Sequence, residues 1–213
     1  MDINEKNMMF IVGKNLAEYF QSLNIVYADN FLTEDTFVDL FKNVNGSTNF
    51  DSRKRQFSTQ PLIVTEIKIT PYKGTKSLLV RGIVNSDSGK QYQTIIMFTR
   101  IKYVDDIDDV NDIDADTVDF TANNGEEYKI ERINLNTNDV KVRCECLDFR
   151  WRFADYNAAN KDLYGRKPPP YVKKTNRGPV NPNKVPGVCK HLIKTFEVLM
   201  ESDLVTKTNT NPS

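Results

Sequence analysis

The chain has 213 residues and balanced charge, 29 Lys and Arg against 29 Asp and Glu, with 39% hydrophobic residues. That is enough for one substantial core and a smaller satellite, and no stretch approaches the ~20 apolar residues of a membrane span. Three cysteines do not make an even disulfide framework. The opening Met1-Asp2-Ile3-Asn4-Glu5-Lys6 does not read as a secretory leader; the unpaired thiols point to folding in a reducing cytoplasm.

Residues 1–50 read as a helical N-terminal region. Phe10, Leu16, Tyr19, Phe20 and Leu23 recur at near-helical spacing between residues 7 and 23. A second helix is expected over 34–44, capped by Thr33, with Glu34 and Asp35 at its positive end. Phe37, Leu40, Phe41 and Val44 form its apolar stripe, which reads as core. Asn45-Gly46-Ser47 ends it, and the Arg53-Lys54-Arg55 triplet reads as part of an exposed connector.

Residues 60–142 read as an antiparallel sheet. Strands are expected over 62–70, 78–84 and 92–104, separated by Lys73-Gly74-Thr75 and Ser86-Asp87-Ser88-Gly89, connections short enough for hairpins. Segments 128–133 and 140–144 are expected to join this sheet. Ahead of them, residues 105–127 carry eight Asp and two Glu with no Lys or Arg, and read as a solvated acidic loop. Asp112, Asp114 and Asp116 begin like a calcium loop, but position six is Thr117 and position twelve is Asn123. The sharp turn and the bidentate ligand are therefore missing.

Residues 143–205 form the third region, and 206–213 a flexible tail. A strand over 147–153 would set Phe149, Trp151 and Phe153 on one face and Arg150 and Arg152 on the other. Residues 154–187 lack periodicity and contain Pro168-Pro169-Pro170, which holds part of them extended as an arm. Gly187 leads into a last helix over 188–201, with Leu192, Ile193, Phe196, Leu199 and Met200 as its buried stripe. From 141 to 194 there are thirteen Lys or Arg against four acidic residues. That basic stretch is the counterpart of the acidic one, a separation that favours contact between opposite surfaces within or between molecules.

All three cysteines and the only histidine fall in this region, as Cys144-Glu145-Cys146 and Cys189-Lys190-His191. Thiolates and a neutral imidazole are the ligands zinc takes, and four of them close a tetrahedral Cys₃His shell with no position left for substrate. On a strand, Cys-x-Cys sets both sulfurs on one face. The 42 residues between the pairs cost roughly 3 kcal/mol to close, against the ~10–16 kcal/mol a structural zinc returns. Two alternatives compete: buried free cysteines acting as small hydrophobes, and a catalytic Cys–His pair. Iron in place of zinc also stays open. For the pair, Cys189 and His191 in a helix project about 200° apart, whereas a nucleophile needs its base within hydrogen-bond reach.

The order Cys-x-Cys…Cys-x-His resembles the SWIM-type zinc finger, whose resemblance implies Cys144, Cys146, Cys189 and His191 as ligands; the insert between the pairs is longer than is usual there. Residues 144–153 and 181–192, together with the Asn-, Asp- and Lys-rich composition, also resemble virion structural proteins of large tailed, crAss-like bacteriophages. That resemblance covers about residues 141–205. It implies a neck, ring or tail component, made in the host cytoplasm and carried in the virion, whose partners are neighbouring virion proteins and copies of itself in a ring. The expected architecture is α+β: N-terminal helices, an antiparallel sheet, then a zinc-stapled strand–arm–helix module. The alternative function is nucleic-acid binding by Arg150, Arg152, Arg166, Lys167, Tyr171, Lys173, Lys174 and Arg177, cations interleaved with aromatics as a single-strand groove requires. An enzyme is not expected, because zinc takes the one histidine and no carboxylate pair or phosphate-binding glycine loop stands out. No membrane partner is expected.

Overall fold

A computed structural model describes residues 35–47, 61–86, 88–104, 116–169, 176 and 178–206. The expected helix between residues 7 and 23, the Thr33 cap, the 53–55 triplet, Asp112 and Asp114 lie outside them. The fold is α+β. In chain order the elements are α1 (Phe37–Ser47), β1 (Ile63–Tyr72), β2 (Ser77–Asn85), β3 (Gln91–Phe98), β4 (Thr117–Thr121), β5 (Glu127–Glu131), β6 (Val140–Cys144), α2 (Leu147–Arg152), α3 (Ala154–Ala159) and α4 (Lys190–Glu201).

The main sheet is antiparallel in the order β1-β2-β3-β6. Its register aligns Ile69, Val80, Ile96 and Val142 in one row and Gly82, Thr94 and Cys144 in the next. These residues share a face by strand alternation, and α4 packs on that face. Segment 128–133, expected in this sheet, instead supplies β5, which pairs with β4 in a separate hairpin. The acidic stretch is thus partly strand. Asp116 pairs with Arg132 at 2.6 Å, and the hairpin reaches the main sheet through the Asn123 N–H, which donates to the Ile69 carbonyl.

The helix start over 34–44 moves inward. Thr36 is the cap: the Asp39 N–H donates to its hydroxyl at 3.3 Å, while the Asp39 carboxylate accepts from the Thr36 N–H and hydroxyl. That reciprocal pair is a capping box, which satisfies donors the helix cannot. Phe37 of α1 stacks on Phe196 of α4 with centroids 3.7 Å apart, and Leu40, Phe41 and Val44 are buried as the stripe expects.

Residues 147–153 correct the strand expectation: they form α2. Cys146 is extended and its sulfur accepts the Phe149 N–H at 3.3 Å, so it caps the helix. Asp148 and Arg152 pair across one turn at 2.9 Å, and Phe149 and Phe153, four apart, go into the core together. The alternation of aromatic and basic residues fits both periods; the cap and the i,i+4 pairs choose the helix.

Helix α4 buries Leu192, Ile193, Phe196 and Leu199, each stabilising by roughly 1.5–3 kcal/mol. Its approach to the sheet depends on Gly82, where a Cβ would lie 2.7 Å from Thr94 Oγ1 and 3.0 Å from Thr195 Cγ2. Thr94 and Thr195 share a hydrogen bond of 2.7 Å, Thr94 faces the Gly82 carbonyl, and Thr195 faces that of His191. Gly82→Ala should therefore destabilise by about 1–3 kcal/mol through overpacking, read as a lower urea midpoint at unchanged slope.

The entry to α1 is anchored by Asp35, whose carbonyl accepts from the Val140 N–H and whose N–H donates to the buried Asp162 carboxylate. Burial, then the charges of Asp39 and Asp139, push the Asp35 carboxyl up from 3.8 to about 6, opposed by a hydrogen bond from Asn160. Because the folded state holds this proton more tightly, the stabilisation is complete below the unfolded value and is lost as pH rises through about 6. Asp35→Asn should accordingly raise the melting temperature at pH 7.5 and lose that advantage toward pH 4.

Candidate metal centre

Each ligand is placed by a different piece of local structure. Cys144 ends β6, where alternation turns it to the α4 side of the sheet. Cys146 follows as the cap of α2. Cys189 is the extended residue before α4, and His191 is in that helix's first turn. The turn onto the helix lets Cys189 and His191 converge, which two positions inside a helix could not do.

The donor atoms of Cys144, Cys146, Cys189 and His191 all lie within 4.8 Å of one another. His191 Nδ1 is 3.9 Å from Cys144 Sγ and 4.0 Å from Cys189 Sγ. Bonds of about 2.3 Å to sulfur and 2.1 Å to nitrogen set tetrahedral donors about 3.6–3.8 Å apart, so the cluster fits an ion after a small contraction. All four residues are 4% exposed or less.

The electrostatics agree with a cation. Hydrogen bonds from Cys144 and Cys189 pull the Cys146 thiol well below its ordinary value, whereas burial pushes Cys144 and Cys189 well above theirs. Burial and mutual repulsion oppose a thiolate at all three positions together. Three thiolates together need a metal's charge, and its binding would release the remaining protons.

His191 is oriented by contact more than by polar partners. Tyr92 lies over its ring with centroids 4.5 Å apart, and Thr195 meets its carbonyl one turn along. With Nδ1 toward the sulfurs, Nε2 is buried with no hydrogen-bond partner among the described residues. Such a nitrogen usually donates to a carboxylate or carbonyl when its ring holds a metal; here the neighbour is the Tyr92 ring, tilted by 37°.

Of the residues expected to form a nucleic-acid surface, Arg150, Arg152, Arg166 and Lys167 are among the described ones. Arg150 is exposed, with its guanidinium 4.4 Å over the Trp151 ring. Arg152 turns inward to Asp148, and Lys167 pairs with Asp155 at 3.2 Å. Arg166 is exposed, and its carbonyl accepts from Arg143. Tyr171, Lys173, Lys174 and Arg177 lie outside the described residues.

Several contributors to the site have no sequence signature. Tyr92, Thr94 and Thr195 look like ordinary strand and helix residues. Gly187 reads as a turn, yet a Cβ there would come within 2.9 Å of two Phe153 ring carbons and 3.0 Å of Val44. That contact fixes the chain two residues before Cys189.

Fold and site together define an α+β protein with a buried Cys₃His group able to hold a metal ion. No protein-family profile, curated protein or solved structure matches the chain. If the cluster holds a metal, the purified chain should carry one ion, and Cys189→Ser should lose it. Elemental analysis after gel filtration reads both outcomes.

Proposed function

We propose that the chain is a structural, non-enzymatic component of a phage particle, a neck, ring or tail protein, stabilised by zinc in a closed Cys₃His site. The observation that carries the reading is burial of all four donors between β6, α2 and the start of α4. A sulfur-rich, four-ligand, enclosed set suits a structural zinc and leaves no coordination position for catalysis. Its work is to pin the last helix to the sheet. The expected 154–187 arm is helical over Ala154–Ala159 and bridged to β6 at Leu163, so only the part after it can extend as an arm.

The assembly half of the reading rests on the phage-like segments and the separation of acidic from basic residues along the chain. Opposed charges suit a heterologous contact between copies, which closes into a ring when the rotation allows. Synthesis in the host cytoplasm followed by incorporation into the virion goes with this reading.

A second reading, nucleic-acid binding, is favoured by one observation, the exposed Arg150 stacked over Trp151. Arginine on an aromatic face is a platform on which an unpaired base stacks. Arg152 and Lys167, engaged with Asp148 and Asp155, contribute less to it.

Native mass spectrometry before and after mild chelation separates these readings. One zinc per chain in a defined oligomer, with the assembly loosened by chelation, is the expected result. A zinc-loaded monomer with steeply salt-dependent binding to single-stranded DNA or RNA would support the second reading instead. A chain that takes up no metal would remove the basis of the first.

A further inference from the structure

The three ligand-bearing segments meet at one residue that is not a ligand. Asn157, fully buried in α3, uses its side chain as a strand would. Its amide donates to the Gly187 carbonyl at 3.0 Å and accepts from the Gly187 N–H at 2.8 Å. This fastens the chain two residues before Cys189. The Asn157 main chain faces the other way: its carbonyl accepts from the Asp162 and Leu163 N–H groups at 2.8 and 3.1 Å. Leu163 then lies parallel to β6 at Val142, with the Val142 N–H donating to Asp162 and its carbonyl accepting from Tyr164. That is two residues before Cys144. The third connection is covalent, since α3 follows α2, the helix that Cys146 caps.

We infer that Asn157 is the positioning residue of the metal centre, holding the Cys144, Cys146 and Cys189–His191 segments in register so that the site forms before the ion enters. The inference rests on the metal-centre reading and deepens it. Two further observations carry it. The Asn157 bonds tie together positions 30 residues apart, a closure that otherwise falls to the metal. Gly187 sits against Phe153 too closely for any side chain, so the fastened segment has one seat. Asn181 repeats the device nearby, its amide donating to the Arg152 and Val185 carbonyls and accepting from the Val185 N–H. Two amide side chains thus fasten the segment that leads to Cys189.

The test is metal affinity, measured on the full chain by competition with a chromophoric chelator for zinc and cobalt(II). Asn157→Ala should weaken binding by about 10–100-fold, the scale of a lost outer-shell contact, and lower the intensity of the cobalt(II) visible bands. Tyr103→Phe serves as control. Its hydroxyl donates to the Ser77 carbonyl and accepts from the Tyr72 N–H, away from the centre, so it should cost stability and leave affinity unchanged. Equal affinities for Asn157→Ala and Tyr103→Phe would overturn the inference while leaving the metal centre standing. Failure of the wild-type chain to take up metal would overturn both. Should Asn157→Ala not fold, hydrogen exchange on the metal-free wild-type chain decides. A protected Gly187 amide supports a pre-formed site, and one that exchanges freely overturns it.

Discussion

The close approach of α4 to the main sheet is the constraint on which the rest of the molecule depends. At the row Gly82–Thr94–Cys144 the sheet presents no side chain, one small hydroxyl residue and one thiol in succession. Thr195 enters that low point and bonds to Thr94. One turn earlier on the same helix, His191 is thereby brought to the end of β6, where Cys144 waits. The packing of helix on sheet and the gathering of the donors are one event. A bulkier residue at position 82 would lift the helix and, with it, the imidazole.

Polar side chains complete what packing begins. The segment between the two ligand pairs is long, and its ends are fastened by Asn157, which meets both main-chain groups of the buried Gly187, and by Asn181, which meets the Arg152 and Val185 carbonyls. Buried donors and acceptors cost more when unmet than they contribute when met, so these amides define where the chain must pass. The charged groups of the same region serve local ends: Arg143 reaches the Tyr164 and Arg166 carbonyls, Arg152 reaches Asp148, and Lys167 reaches Asp155. Three of the basic side chains that stand out along the chain, Arg143, Arg152 and Lys167, thus hold the return from α3 to β6 and the helices α2 and α3.

The donor set itself was legible because its residue types are scarce: three cysteines and one histidine leave little choice of partners. Strands β1, β2 and β6 were equally plain, since alternation and short turns act between neighbours in sequence. The strand expected over 92–104 ends at Phe98, so its last six residues were over-read. Residues 147–153 were misread because a six-residue helix shows too little of its period to be told from alternation; the deciding contact is a hydrogen bond to the Cys146 sulfur. The pairing of β5 with β4 was missed for a related reason. The acidic character of 116–127 masks a hairpin whose inward side chains, Val118, Phe120, Tyr128 and Ile130, are few.

What is written along the chain, then, is chemistry and local period: the α+β alternation, the apolar stripes of α1 and α4, and the four residues able to share a metal. What only the folded molecule decides is the closeness on which that chemistry depends. The value of Gly82 lies in Thr195, 113 residues on, and that of Asn157 lies in Gly187 and Leu163. A contact between distant residues leaves no periodic mark, because its geometry is set by the elements between them. A glycine or an asparagine therefore reads as ordinary until its neighbour in space is known.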